Sequence, residues 1–194
     1  TRRTYEHRSE FMKHESEYNV EMLKGLGLNP GPVSRPTLVV SDEERRDTER
    51  YWTSLPGPRV VVHPGGFSAR RWRPDHFRDL AIELTRAGYG VVLTGSETER
   101  TEFERDTLSQ RALPPGIHNL MGRLSVRELM AVIADAQVVV SGATGPAHLA
   151  AALGTATVSL FDPRRNNLPT RWRPLGTGVL LRPDVPTCEK CIGD

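Results

Sequence analysis

The residues best suited to chemistry are Ser141-Gly-Ala-Thr-Gly-Pro-Ala-His148, set between a β-branched run, Val138-Val-Val140, and an alanine-rich stretch, Leu149-Ala-Ala-Ala-Leu153. That order spells a strand, a tight turn and a helix start. Gly145 lets a ligand approach the backbone closely, and Pro146 suits the first helical position. The unpaired N–H groups of a helix's first turn point outward with the positive end of its dipole, so this turn is built to hold phosphate. Thr144 stands where a helix cap belongs, and capping alone would also account for it. His148, in the first turn, can donate to a phosphate oxygen or pack between helix and loop.

A second loop, His63-Pro-Gly-Gly-Phe-Ser-Ala-Arg-Arg71, has related chemistry. Gly65, Gly66 and Ser68 offer small residues, N–H groups and a hydroxyl, and Arg70 or Arg71 offers forked donors for an anion. The bland alternative is an ordinary surface connection, with Trp72 as the packing that anchors it. Two strand-end loops with anion-binding chemistry suit a diphosphate. Glu97 and Glu99 follow Gly95-Ser96 at a helix start, where they complement the dipole; a carboxylate at that strand end can also accept both hydroxyls of a ribose. His63 and His118 read as structural. No carboxylate–histidine–serine arrangement and no metal-ligand spacing is evident.

The elements that position these loops follow from patterning. Apolar runs at 59–63, 89–94, 117–120, 137–141 and 156–161 alternate with helical patterns at 75–87, 97 to about 111, 125–134 and 146–153. Runs that are apolar without strict alternation are buried on both faces, as in a parallel sheet covered by helices. The fold class is α/β, a Rossmann-like doubly wound parallel sheet, and in such sheets ligands sit beyond the carboxyl ends of the strands. Upstream, residues from Ser9 to about Leu26 favour a helix with Tyr18, Met22, Leu23 and Leu26 on one face, ended by Gly25 and Gly27. A Pro/Gly-rich linker and a charged, solvated helix after Ser41, with Ser41 and Glu44 as a capping box, lead to Leu55-Pro-Gly-Pro58. Residues 1–57 are therefore expected to form a helix and linker segment and residues 58–194 the Rossmann-like domain.

The 194 residues suffice for one domain with a real core plus an appendage, and a net charge of +2 with 37% hydrophobic residues argues against disorder and against a nucleic-acid surface. Nothing approaches the roughly 18 to 20 apolar residues of a membrane span, and the opening residues lack the apolar run of a signal peptide, so a cytoplasmic setting is expected. Cys188 and Cys191 form a single C-x-x-C, half of a zinc site at most.

Taken together, these stretches resemble glycosyltransferase family 9, the heptosyltransferases of lipopolysaccharide core assembly. His63 to Trp72 is similar to the family's His-Pro-Gly loop, Val91 to Glu99 to its Gly-x-x-x-Glu segment, and Leu120 to Leu129 to its Gly-x-x-Ser-Leu-x-Glu-Leu stretch. Ser141 to Gly154 resembles the Asp-Thr-Gly-x-x-His-x-x-Ala-Ala-Leu-Gly block, and residues 14–27 resemble the helix leading into it. The resemblance implies the C-terminal, donor-binding domain of a two-domain GT-B glycosyltransferase, with the acceptor site and aspartate base in the other half, so that this fragment is inactive alone. It places Arg70 at donor phosphate, Glu99 or Glu97 at the ribose, Gly122 to Leu124 at the adenine side, and Thr144, Gly145 and His148 at the diphosphate.

What the resemblance implies further is a donor such as ADP-heptose or another nucleoside diphosphate sugar, a lipopolysaccharide-type acceptor, no metal or other cofactor, and work at the inner face of the bacterial inner membrane with at most peripheral contact. One departure matters: Ala143 stands at the position of the block's aspartate, so donor choice is expected to shift. Arg70 in place of lysine is less disruptive, since both are cations, though Arg binds in a more directional fork. The rival functions are a sugar-nucleotide epimerase or hydrolase, which needs catalytic carboxylates in this half, and a noncatalytic nucleotide-binding module, for which Ala143 is the argument.

Overall fold

The β-branched runs pair as strands of a single sheet because each can bury both faces. The computed structural model describes residues 12–66, 72–107, 113–163 and 167–184. Among them are β1 (Arg59–His63), β2 (Gly90–Leu93), β3 (Ile117–Asn119), β4 (Val138–Gly142), β5 (Ala156–Leu160) and β6 (Gly178–Leu181). All pairings are parallel, in the order β3-β2-β1-β4-β5-β6, with Val61 opposite Val92 on one side and Val139 on the other. The chain winds outward from β1 to β3, returns to β4 beside β1, and winds the other way. The reversal between β1 and β4 opens a crevice at their carboxyl ends.

Parallel pairing requires crossovers, which α3 (Pro74–Arg86), α4 (Glu97–Thr107), α5 (Val126–Ala134) and α6 (Gly145–Leu153) supply. Side-chain alternation on β1 divides the core. Val60 and Val62 pack with Phe77, Ala81 and Phe103 of α3 and α4, while Val61 packs with Val132 and Ile133 of α5 and Ala150 of α6. Burying each such valine stabilises by about 1.5–3 kcal/mol, and α5 begins with the Ser125–Glu128 capping box. The sheet, its helices and their alternation match the sequence expectation. Helix α6 begins one residue early, at Gly145, and the expected end of α4 near Arg111 lies outside the described residues.

The upstream segment departs from expectation. The helix is shorter, α1 (Glu15–Glu21), with His14 as its cap, and it continues as a 3-10 turn over Met22–Leu26 that Gly27 ends. Of the residues expected to share a face, only Tyr18 is buried; Met22, Leu23 and Leu26 are exposed, because three residues per turn rotate them off the α-helical stripe. Residues Ser9 to Phe11 lie outside the described residues.

The helix after Ser41, α2 (Asp42–Glu49), carries the expected Ser41–Glu44 capping box, but its charges are not simply solvated. Glu44 receives the Arg127 guanidinium, Arg45 pairs with Asp135, and the following Trp52 is buried against Val61. Two elements went unforeseen. They are α7 (Pro169–Trp172), tied to α1 by a 2.8 Å Arg171–Glu15 ion pair, and β6, an edge strand exposed on both faces. Among the described residues no helix is long and apolar enough to cross a membrane. Cys188 and Cys191 lie outside the described residues.

Candidate functional site

The crevice at the strand reversal is a cavity of about 720 Å³. Its walls come from four strand ends. His63 ends β1 and Gly65 and Gly66 follow it, Ser96 and Glu99 follow β2, Gly142 ends β4 and Ala143 to Pro146 follow it, and Leu160 ends β5 with Phe161 and Asp162 beyond. Trp72, Phe77 and Asn167 complete it. Trp72 stacks on His76 at 5.4 Å and meets Phe77 edge-on at 4.8 Å.

Glu99 is the organising residue of one wall. Its Oε1 accepts the N–H of Gly66 at 3.0 Å and its Oε2 the N–H of Ser96 at 2.7 Å; the Ser96 hydroxyl in turn accepts the N–H of Glu99. This is a capping box at the start of α4 that also ties β2's loop to β1's. Burial opposes the Glu99 charge, yet the Ser96 N–H, the nearby His63 ring, the Ser96 hydroxyl and the Gly66 N–H outweigh it and hold the carboxyl below the usual carboxylate range. Its own oxygens keep room for further hydrogen bonds, since a carboxylate accepts about four. His63, buried behind it, places Nδ1 3.0 Å from the Thr94 hydroxyl and Nε2 3.9 Å from Glu99; burial pushes the imidazole below its ordinary value despite that carboxylate.

Gly65 is required here on steric grounds. A Cβ at this position would lie 2.1 Å from Glu99 Oε1 and 2.7 Å from His63 Nε2. Gly145 is the opposite case, because a Cβ there would meet nothing within 4 Å; it faces open space.

At the facing wall, Thr144 occupies the cap position of α6, but its hydroxyl caps no N–H. The hydroxyl turns back toward the Gly142 carbonyl at 3.4 Å, and the backbone carbonyl of Thr144 accepts the N–H of Ala147 at 3.1 Å. The capping role expected from sequence is therefore not filled by the side chain. The N–H of Gly145 has no acceptor among the described residues, which leaves a donor with the helix dipole behind it at the cavity wall.

Gly65, Gly66, Glu99, Thr144 and Gly145 thus converge on one cavity, whereas Glu97, Gly122, Leu124 and His148 do not line it. Gly122 lies beyond β3 with φ +72°, its N–H given to the Gly95 carbonyl at 2.8 Å, and abuts the exposed Glu97, which pairs with Arg100. Leu124 packs onto the Trp52 cluster. His148 is half-buried and does not line the cavity; burial, and then His14, push its imidazole below the ordinary value. His118 bridges the Tyr51 carbonyl and the Ser54 hydroxyl, as a structural histidine should. Ser68 and Arg70, with Arg71, lie outside the described residues. Sequence reasoning missed Ser96 and Asp162. The Ser-x-x-Glu spacing of a capping box signals the first, and the position just past β5 signals the second.

Residues 4–183 match the model of glycosyltransferase family 9 (heptosyltransferase). Lipooligosaccharide heptosyltransferase 2 of Haemophilus influenzae is 31% identical over 143 residues, 68% of this chain and 40% of that protein. Among solved structures, the ADP-heptose lipopolysaccharide heptosyltransferase II of Escherichia coli superposes with a TM-score of 0.69 at 28% identity, over 81% of this chain and 48% of that one. An Escherichia coli heptosyltransferase solved with ADP gives 0.58 at 22% identity, over 88% and 51%, a likeness of fold. The chain spans about half or less of the length of these relatives.

Proposed function

We propose that this chain, which belongs to glycosyltransferase family 9, is the donor-binding half of a heptosyltransferase-like enzyme, holding a nucleoside diphosphate sugar across the β1/β4 crevice. The observation that supports the reading most is the pairing of walls in one cavity: an oriented carboxylate, Glu99, faces a helix-start turn whose Gly145 N–H has no acceptor among the described residues. In this reading Glu99 accepts the ribose hydroxyls. The diphosphate lies against Thr144, Gly145, Gly65 and Gly66, with the Ser68 hydroxyl as a further donor and Arg70 neutralising its charge.

Gly122, Leu124 and Glu97 form the rim toward the base, and His148 supports the turn by packing rather than by touching phosphate. Residues 58–194 are then the donor domain, and residues 1–57 the interdomain segment. The sugar is the donor of a displacement at its anomeric carbon by an acceptor hydroxyl. The residues of this half contribute stabilisation of charge growing on the departing diphosphate, through fixed N–H dipoles and the Arg70 cation. The acceptor, of lipopolysaccharide type, and the base that takes its proton belong to the other half, so transfer requires both. A cytoplasmic enzyme touching the membrane at most peripherally fits this role.

Calorimetric titration of the chain with ADP tests the reading. The wild-type chain should bind, and Thr144→Ala and Arg70→Ala should each weaken binding at least tenfold. Because the Thr144 hydroxyl caps no N–H, the loss in Thr144→Ala should come without a fall in melting temperature. Undiminished affinity in both variants would remove the proposed site.

A further inference from the structure

The cavity has a buried polar side chain that the reading above does not use. His63 ends β1 and lines the cavity, and its side chain is only 7% exposed. Thr94, directly past β2, is fully buried; its N–H reaches the Val62 carbonyl at 3.1 Å, which sets its hydroxyl 3.0 Å from His63 Nδ1. The sequence marks this histidine as structural, and Nδ1 fits that role. Nε2 does not, for it has no hydrogen-bond partner among the described residues. Glu99 Oε2 stands 3.9 Å away, beyond hydrogen-bond reach.

Which nitrogen carries the hydrogen follows from an accounting of donors. Burial pushes the imidazole below its ordinary value, so the ring is neutral near pH 7, with one nitrogen a donor and the other an acceptor. Were the hydrogen on Nδ1, Thr94 would accept it, and the Thr94 hydroxyl hydrogen would be left without an acceptor among the described residues. A buried donor left unpaired is costly. When the Thr94 hydroxyl donates to Nδ1 instead, both groups are satisfied and the ring hydrogen sits on Nε2. The ring then presents an N–H donor beside the Glu99 carboxylate, and both residues line the cavity.

A donor and an acceptor 3.9 Å apart define the group that completes them. An oxygen about 2.8 Å from both sees them about 90° apart, an arrangement open to a group that gives one hydrogen bond and receives another. A hydroxyl does both with a single oxygen. A phosphate oxygen would satisfy the ring but be repelled by Glu99, and an ammonium would satisfy Glu99 but confront the ring N–H. Glu99 alone makes no such distinction, since a carboxylate accepts from any donor. The pair is also held in advance: the Gly66 and Ser96 N–H groups fix the two Glu99 oxygens, and Thr94 fixes the ring.

We infer that His63, set by Thr94 as the Nε2–H tautomer, donates to the same ribose hydroxyl from which Glu99 accepts, so that the two side chains read one hydroxyl as a pair. The inference rests on the donor-site reading above, and the two fail separately. The test titrates the chain and its His63→Asn and His63→Gln variants with ADP and with 2′,3′-dideoxy-ADP, which lacks the hydroxyls. Asparagine keeps a polar atom near the place of Nδ1 for Thr94 and reaches no further; glutamine carries its amide toward the place of Nε2. Wild-type chain should bind ADP more tightly than the dideoxy compound. His63→Asn should bind ADP about tenfold or more weakly than wild type and the dideoxy compound within about twofold, and His63→Gln should recover most of the lost ADP affinity. Nitrogen-15 spectra of the wild-type ring, which need no variant to fold, should show Nε2 protonated and its signal moving with ADP but not with the dideoxy compound.

Undiminished ADP affinity in His63→Asn overturns the assignment while leaving the nucleotide site standing. Equal losses of both compounds in His63→Asn, or a loss in His63→Gln as large as in His63→Asn, also overturn it, because either makes the ring a brace rather than a donor. A wild-type ring protonated at Nδ1 overturns it without recourse to any variant. Failure of the wild-type chain to bind ADP, or equal wild-type affinity for the two compounds, refutes the donor-site reading of Glu99 itself, and this assignment with it.

Discussion

Adding one methyl group at Gly65 should damage the site through Glu99 alone. The backbone at Gly65 is not in the left-handed region, so alanine is tolerated conformationally and the effect is steric. The new Cβ would lie 2.1 Å from Glu99 Oε1 and 2.4 Å from its carboxyl carbon. A comfortable separation is roughly 3.5 Å, so the carboxylate must retreat by about 1.4 Å. That motion takes Oε1 out of reach of the Gly66 N–H, now 3.0 Å away. Losing a hydrogen bond to a charged group costs about 1.5–3 kcal/mol, offset by about 0.4–1 kcal/mol from the stiffer unfolded chain. The net loss, about 1–2 kcal/mol, should lower the melting temperature by about 2–8 °C for a domain of this size.

The same retreat misplaces the acceptor proposed for ribose, so ADP affinity measured by calorimetry should fall about 10- to 100-fold. Glu99→Ala should suffer comparable losses, and the Gly65→Ala/Glu99→Ala double variant should be less than additive, since both changes remove the same contacts. A Gly65→Ala chain that melts within 1 °C of wild type and binds ADP within twofold would refute the argument.

Gly145→Ala should separate stability from binding. Nothing lies within 4 Å of the added Cβ, so the melting temperature should hold or rise slightly, while ADP affinity falls at least tenfold because the methyl occupies cavity space; intact affinity would move the phosphate elsewhere. Acid should destabilise the fold from about pH 6.5 downward. His63 and His148 have folded pKa values below their ordinary 6.5, so the unfolded chain binds more protons, and stability present above that pH is lost as it falls. Urea midpoints at pH 7.5 and 5.5 check this, and an unchanged or higher midpoint at pH 5.5 contradicts it. Glu44 is held down to about 2, chiefly by the Arg127 guanidinium, so an NMR titration of Arg127→Ala should show its midpoint rising toward 4.5, and an unmoved midpoint would deny the pair.

The architecture was legible where burial decided it. Val60 to Val62, Val91 to Leu93 and Val139 to Val140 are buried on both sheet faces, as in a covered parallel sheet, and the loops between them were fixed by where those runs end. The Ser41–Glu44 capping box was visible as a spacing, and the boxes at Ser125–Glu128 and Ser96–Glu99, not read from the sequence, share that spacing. β6 was not legible, because Gly178 to Leu181 carries no periodicity and is exposed on both faces; its place comes only from pairing with β5.

At the site, residue types foretold convergence of Gly65, Gly66, Glu99, Thr144 and Gly145, but not how each is held. That Glu99 organises the β1 loop depends on Gly66 meeting a carboxylate 33 residues away, and that the Thr144 hydroxyl turns back to Gly142 depends on a rotamer. His148 was read from a motif, whereas its neighbour His14 is brought near by docking of α1, a contact no local pattern encodes.

The most direct test of the central claim is an NMR titration of isotopically labelled chain with ADP, following backbone amides. Ligation across the β1/β4 crevice predicts the largest shifts at Gly65, Gly66, Ser96, Thr144 and Gly145, with the Gly145 amide moving as its open N–H gains an acceptor. Shifts clustered instead around the hollow between Arg78, Arg86 and Pro115, with Gly145 unmoved, would contradict it.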